Sequence, residues 1–242
     1  MLTVEEIENA TVEEGYLERS ELSEFLSAAQ EHGLPQDVEM FYTLAFSGMR
    51  SGELCAWKWS DLIFETNMVR ITKTLYNPNN NMRKYELTPP KTTASIRDFD
   101  LDESVMKLLE NHKKSQAASK QKNKETFSDY HDKNFVFAHD NGYPFIQQSI
   151  SNRMERILKK TTIKKKATPH IFRHTHISML AEAEVDLKTI MERVGHDDVK
   201  TTLKIYTHVT DKMKKNAREK VKIHFADILN FDFSRECDFY VI

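Results

Sequence analysis

Residues able to handle a phosphodiester recur in order along this chain. Arg50 stands in the run Ser47-Gly48-Met49-Arg50-Ser51-Gly52-Glu53-Leu54. Residues 168–176 read Thr-Pro-His-Ile-Phe-Arg-His-Thr-His, and Gly195-His196 and Ile205-Tyr206-Thr207-His208-Val209 follow. Arg50 and Arg173 could grip a phosphate with planar, bidentate guanidiniums. His170 and His196 could manage protons, and the phenol of Tyr206 could attack phosphorus. Such a set could break and remake a phosphodiester with neither metal nor nucleotide.

The flanking residues say how these groups are held. Thr168 and Pro169 suit the cap and first position of a helix. His170 and Arg173 would then lie three apart in the first turn, where backbone N–H groups already favour an anion. Arg50 follows Gly48, a helix stop, so it occupies a junction from which it can reach a shared cleft. Gly195 closes a helix ending at Val194. Asp197 or Asp198 caps the next helix, on which Val199, Leu203 and Tyr206 share a face. Periodicity alone equally allows Tyr206 to be a core aromatic in that stripe. His174, His176 and His208 read as packing or surface groups. A zinc site on His170, His174 and His176 is not expected, because His176 lies on another face and no carboxylate or thiolate completes the set. No cofactor is expected.

The net charge of −2 over 242 residues conceals an asymmetry. Residues 1–40 hold eleven Asp/Glu and one basic residue, Arg19, leaving a surplus of +8 in the rest. Arg153, Arg156, Lys159, Lys160, Lys164, Lys165, Lys166 and Arg173 fall in one stretch with only Glu155 opposing them. That clustering is the footprint of a polyanion partner, although a solvated lysine-rich face has the same composition. At 39% hydrophobic and 30% charged, the chain can bury a core. It contains no apolar run of membrane-spanning length, and its first residues lack the parts of a signal peptide. Cys55 and Cys237 form no metal or redox pattern and suit a reducing compartment. The cytoplasm is the expected location.

Helical spacing is read at 20–33, capped by Ser20, and at 37–46 and 51–57. Alternation then predicts three strands, over 69–75, 82–88 and 94–101, with Ile96 and either Phe99 or Leu101 facing inward. They would form one small antiparallel sheet. A helix capped by Asp102 would fray into a mobile polar stretch over 113–132. Phe135-Val136-Phe137 reads as a short buried segment. Further helices are read at 146–160, 169–183, 187–194, 198–206 and 211–229. The fold class expected is mainly α (α+β). Residues 1–15 form a lead-in segment or linker, 16–229 one domain, and 230–242 an apolar tail that needs a groove of its own or of a neighbour.

Taken together, these motifs resemble the tyrosine recombinase (phage integrase) family, above all the integrases of phages and conjugative transposons of Gram-positive bacteria. Pro90-Lys91-Thr92, Val194-Gly195-His196 and Thr201-Thr202 add to the match, which covers about residues 15–215. The resemblance implies a helical catalytic domain with a small sheet, acting on double-stranded DNA as a homo-oligomer, a tetramer. Tyr206 would attack the scissile phosphate to give a 3′-phosphotyrosyl link. Arg50 and Arg173 would stabilise the transition state, His170 would accept the phenolic proton, and His196 would hydrogen-bond the phosphate. Lys91 would protonate the leaving 5′-oxygen, with Lys73, inside a strand, as the second candidate. Such recombinases usually carry an N-terminal DNA-clamping domain, which does not fit ahead of these motifs, so a catalytic fragment or a partner-dependent short homologue is expected. Two other activities share part of this pattern: a type IB topoisomerase or telomere resolvase, and a non-catalytic DNA-binding regulator.

Overall fold

The computed structural model describes residues 12, 15–90, 92–195 and 199–226. Lys91, His196, Cys237 and the expected tail lie outside the described residues, as does nearly all of the expected lead-in segment.

Local caps set the first helices. α1 (Arg19–His32) opens at Glu18, not at Ser20. The Glu21 carboxylate accepts from the Glu18 N–H at 2.7 Å and satisfies a donor that a serine cap at position 20 would leave open. α2 (Asp37–Ser47) stops at Gly48, whose φ of 63° is left-handed. A Cβ there would come within 2.8 Å of the His176 ring. α3 (Ser51–Ala56) follows, with Arg50 extended at its cap.

The strands differ from the single sheet expected. β1 (Leu62–Ile63), β2 (Met68–Ile71) and β5 (Arg97–Asp100) form one antiparallel sheet in the order β1-β2-β5. β3 (Thr74–Tyr76) and β4 (Glu86–Thr88) form a separate hairpin. The run 69–75 breaks at Thr72 and Lys73. There the Lys73 ammonium reaches both carboxylate oxygens of Asp61, at 2.8 and 2.6 Å. Lys73 therefore sits between strands rather than inside one, and its charge is already paired. Ile96 faces out and is 50% exposed, whereas Phe99 and Leu101 are both buried. Arg97 takes the inward position because buried Glu53 pairs with its guanidinium.

α4 (Glu103–Thr126) is continuous through most of the stretch read as mobile. It contains neither glycine nor proline, Asp102 caps it by accepting from the Ser104 N–H at 2.8 Å, and Lys120 and Lys124 tie its far end to Asp132. Phe135, Val136 and Phe137 are buried as expected. α5 (Gln147–Leu158) buries Ile150, Met154 and Ile157. α6 (Ile171–Glu182) starts two residues beyond Pro169, because a tight turn from the Ile171 N–H to the Thr168 carbonyl precedes it. α7 (Leu187–Val194) is capped by Asp186 and ends at Gly195 with φ 65°. α8 (Val199–Ala226) is one helix, not the two expected. Thr207–Thr210 do not break it: the Thr210 hydroxyl bonds back to the Thr207 carbonyl at 3.0 Å, and no proline or glycine intervenes.

Two clusters hold these elements. The larger draws on α1–α5, both sheets, and Ile171 and Phe172 of α6. The smaller gathers Val12, Tyr16, Ile177, Ala181, Ile190, Val194, Ile205 and Val209. No helix among the described residues is long and apolar enough to cross a membrane. Cys55 is a buried free thiol, and burial pushes its pKa up.

Candidate active site

Arg173 is wholly buried, and its guanidinium donates to the carbonyl of Gly48 at 2.8 Å. The left-handed turn at Gly48 thus aims a backbone oxygen at the arginine and releases the chain toward Arg50 two residues on. Arg50 is half-exposed. It donates to Glu53 at 2.8 Å, to the Ser95 hydroxyl at 3.4 Å and to the Gly195 carbonyl at 3.1 Å. Burial, and then the nearby Arg50 charge, hold the pKa of Arg173 well below the usual arginine value. The two guanidiniums are therefore neighbours, with an electrostatic cost that an anion between them would relieve.

Glu53 offsets part of that cost. It is 2% exposed and lies between Arg50 and Arg97, accepting from Arg97 at 3.2 and 3.0 Å. Burial alone would raise its pKa; Arg97, the Arg50 N–H and the Arg50 charge outweigh that and hold the carboxyl low. Arg97 also donates to the Arg193 carbonyl at 2.8 Å, and so joins the end of α7 to the cradle.

His170 caps α6. Although part of the residue reaches solvent, desolvation of its ring, then His174, Arg173 and Arg50, push its pKa down to about 4. At neutral pH it is an uncharged imidazole near two cations, with one ring nitrogen able to accept a hydrogen bond or a proton. His174 lies edge-on to it, ring centroids 4.7 Å apart. His176 points elsewhere, with Nδ1 3.1 Å from the Ala45 carbonyl, and burial pushes its pKa down to about 3.

Tyr206 is half-buried on α8, which packs along α6, the helix bearing His170 and Arg173. Its ring lies against the smaller cluster rather than deep within it. Among the described residues its hydroxyl makes no hydrogen bond with the arginine cradle. The segments flanking Lys91 and His196 do reach the cradle. Thr92 Oγ1 lies 3.0 Å from Ser95 Oγ, and Ser95 and Gly195 both accept from Arg50.

The basic stretch is less free than its sequence suggests. Arg153 and Arg156 both grip buried Asp37, at 2.6 and 2.9 Å. Lys165 pairs with Glu21 at 2.6 Å and donates to the Tyr16 carbonyl. Lys159 pairs with Glu155 at 2.9 Å. Lys160, Lys164 and Lys166 are exposed and unpaired among the described residues. The opposing charges come from α1 and the start of α2, so Glu155 is not the sole counter-charge. Sequence reading also missed Glu53 and Arg97 as parts of the site. The three-residue spacing of Arg50 and Glu53 was a usable signal; nothing local marked Arg97.

Residues 15–213 match the phage integrase family. The chain belongs to that family. It is 36% identical over 178 residues to the integrase of Staphylococcus phage L54a, covering 74% of this chain and 49% of that one. It is 33% identical over 232 residues to the prophage ps2 probable integrase of Lactococcus lactis, covering 94% of this chain and 57% of that one. The chain thus spans about half the length of the curated relatives it matches. Among solved structures, the Tn1549 transposon integrase in complex with transposon right end DNA superposes with a TM-score of 0.66 at 24% identity, over 84% of this chain and 66% of that one. XerA recombinase gives 0.63 at 24% identity, over 84% and 65%. The fold is that of a tyrosine recombinase catalytic domain, mainly helical with small antiparallel sheets.

Proposed function

We propose that this integrase-family domain cuts and rejoins double-stranded DNA at a specific site, for integration or excision of a mobile element. The Tyr206 oxygen attacks the scissile phosphorus. The P–O5′ bond breaks, leaving a 3′-phosphotyrosyl link and a 5′-hydroxyl. The phenolic proton passes to His170, and Lys91 supplies one to the leaving oxygen. Arg50 and Arg173 bind the non-bridging oxygens, joined by His196, and stabilise the charge that builds at phosphorus. The phosphodiester energy is kept in the covalent bond, so the reverse attack by a 5′-hydroxyl reseals a strand with no metal and no ATP. The reaction is placed in the cytoplasm, in a tetramer of copies on DNA, with Lys160, Lys164 and Lys166 tracking phosphates and Lys159, Arg153, Arg156 and Lys165 bordering them.

The observation that carries this reading is the convergence of Arg50, held to Ser95 and Gly195, and Arg173, held to Gly48, with His170 at the cap of the helix that bears Arg173. Two guanidiniums at one place suit a phosphate, and the imidazole beside them offers a nearby proton acceptor. The DNA complexes solved for structural relatives support the choice of substrate. A test uses randomised duplexes that each carry one nick, so that cleavage releases a short fragment and traps the product. The expected result is a protein-linked strand together with a 5′ end that polynucleotide kinase labels directly. Cleavage that leaves a 5′-phosphate and no attached protein would overturn the proposal.

A further inference from the structure

One short segment touches both halves of the site. Ahead of α1, the chain crosses the α6–α8 seam at residues 12 and 15–18. Gly15 presents its carbonyl 3.0 Å from His174 Nδ1. A carbonyl only accepts, so His174 carries its proton on Nδ1 and donates it there. Nε2 of the same ring is buried with no hydrogen-bond partner among the described residues. Next along, Tyr16 is 1% exposed and packs into the cluster that includes Ile205 and Val209, either side of Tyr206 in sequence. Its ring meets His208 edge-on at 6.4 Å. The Leu17 N–H then donates to the Thr175 hydroxyl at 2.9 Å. Two lysines fasten the same stretch from outside: Lys165 to the Tyr16 carbonyl at 2.8 Å, and Lys212 of α8 to Glu18 at 2.8 Å.

We propose that residues 15–17 form a positioning strap. Through Gly15 the strap fixes the His174 ring, which walls the His170 imidazole; through Tyr16 it seats the helix carrying Tyr206. The strap therefore sets the proton acceptor and the nucleophile against one another. A side chain at a helix cap, partly open to solvent, has few contacts of its own to select one rotamer. For His170 the edge-to-face contact with His174 supplies that selection. His174 is a positioning residue here, because its donor is spent on the strap.

This inference rests on the reading above, and the test separates the two. The nicked duplex pool is offered to the unaltered chain, His174→Ala and His174→Asn. Asparagine keeps a donor near the Nδ1 position; alanine does not. His174→Ala is expected to bind the pool as tightly as the unaltered chain but to form adduct about tenfold or more slowly, and His174→Asn, which keeps the strap's donor but not the ring beside His170, is expected to regain part of the rate. Thr175→Val, which frees the strap at Leu17 without touching a histidine, is expected to show the same rate loss. An unaltered rate in His174→Ala, or no recovery in a His174→Asn that melts normally, would overturn the strap.

A second readout needs no cleavage. Besides desolvation, the groups acting on His170 are His174 and Arg173 on its own helix and Arg50 and Glu53 from the α3 side. Removing the His174 imidazole takes away the ring that lies edge-on 4.7 Å from His170, so the NMR shift and titration of the His170 ring change in both variants. A His170 ring unmoved in shift and titration would sink the strap even if no DNA were cut. Failure of the unaltered chain to form adduct, with His170 responding as expected, would instead sink the recombinase reading.

Discussion

Arg173 and Tyr206 stand on ground of different kinds. Arg173 follows Phe172, whose ring packs against Phe25 and Phe41 at 5.2 and 5.7 Å in the larger cluster. Its guanidinium has no exposure and a backbone partner. Tyr206 rides a helix whose inner face contributes Thr202, Ile205 and Val209, and from Asp211 to Val221 every residue but Met213 is exposed. A group that must meet charge developing at phosphorus gains from being fixed beforehand. A nucleophile that must approach and later release the phosphorus gains from a shallower seat, because little buried apolar area means a low cost of local opening. On the proposed reading, the stiff part of the molecule supplies the electrostatics and the shallower part the bond making.

Removing each arginine would test the stiff half most severely. Arg173→Ala is expected to slow adduct formation about 10²–10³-fold. It should also cost about 1–3 kcal/mol in urea unfolding, because the Gly48 carbonyl loses its partner in the interior. Arg50→Ala should lose a similar factor in rate but less stability, since its side chain is 35% exposed. Equal stability losses would mean that the two arginines are not differently embedded.

Glu53→Gln comes next. Both partners of the Glu53–Arg97 pair are buried, and breaking such a pair costs about 3 kcal/mol. The pH dependence has a definite sign. The folded-state pKa of Glu53 is below its ordinary value of 4.5, so its contribution is complete above that value and is lost as pH falls through the lowered folded one. Unfolding measured from neutral pH downward should show a shallower acid decline in Glu53→Gln than in the unaltered chain.

The shallow seat is reached by Ile205→Ala. It should cost about 2 kcal/mol. The loss should appear in hydrogen exchange as faster opening of α8, with the amides of α2 little changed. Uniform acceleration across both helices would erase the contrast between the two clusters. At the small end, Lys215→Ala on the exposed part of α8 should change stability by less than about 0.5 kcal/mol.

What the sequence revealed follows the same division between near and far. Gly48 and Gly195 are local stop signals, so the junctions presenting Arg50 and the end of α7 could be placed before any fold was known. Phe135-Val136-Phe137 announced its burial by composition. The links that complete the cradle could not be read this way. Arg97 meets Glu53 across 44 residues, and Arg153 meets Asp37 across 116. Neither pair leaves a periodic trace, so Arg153 and Arg156 looked like surface charge although both hold buried Asp37. The two-residue strand β1 is too short to show alternation. In α4, polar composition was mistaken for disorder, although lysine, glutamine and alanine without glycine or proline favour a helix.

On the proposed reading, Tyr206 is the residue that bonds to phosphorus beside Arg50 and Arg173. Mass spectrometry of the protein–DNA adduct trapped on nicked duplex, after digestion of both polymers, reads it directly. A single peptide carrying a nucleotide 3′-phosphate on Tyr206 is expected, with no adduct from Tyr206→Phe. A nucleotide found on any other residue, or an adduct that survives in Tyr206→Phe, would contradict that reading.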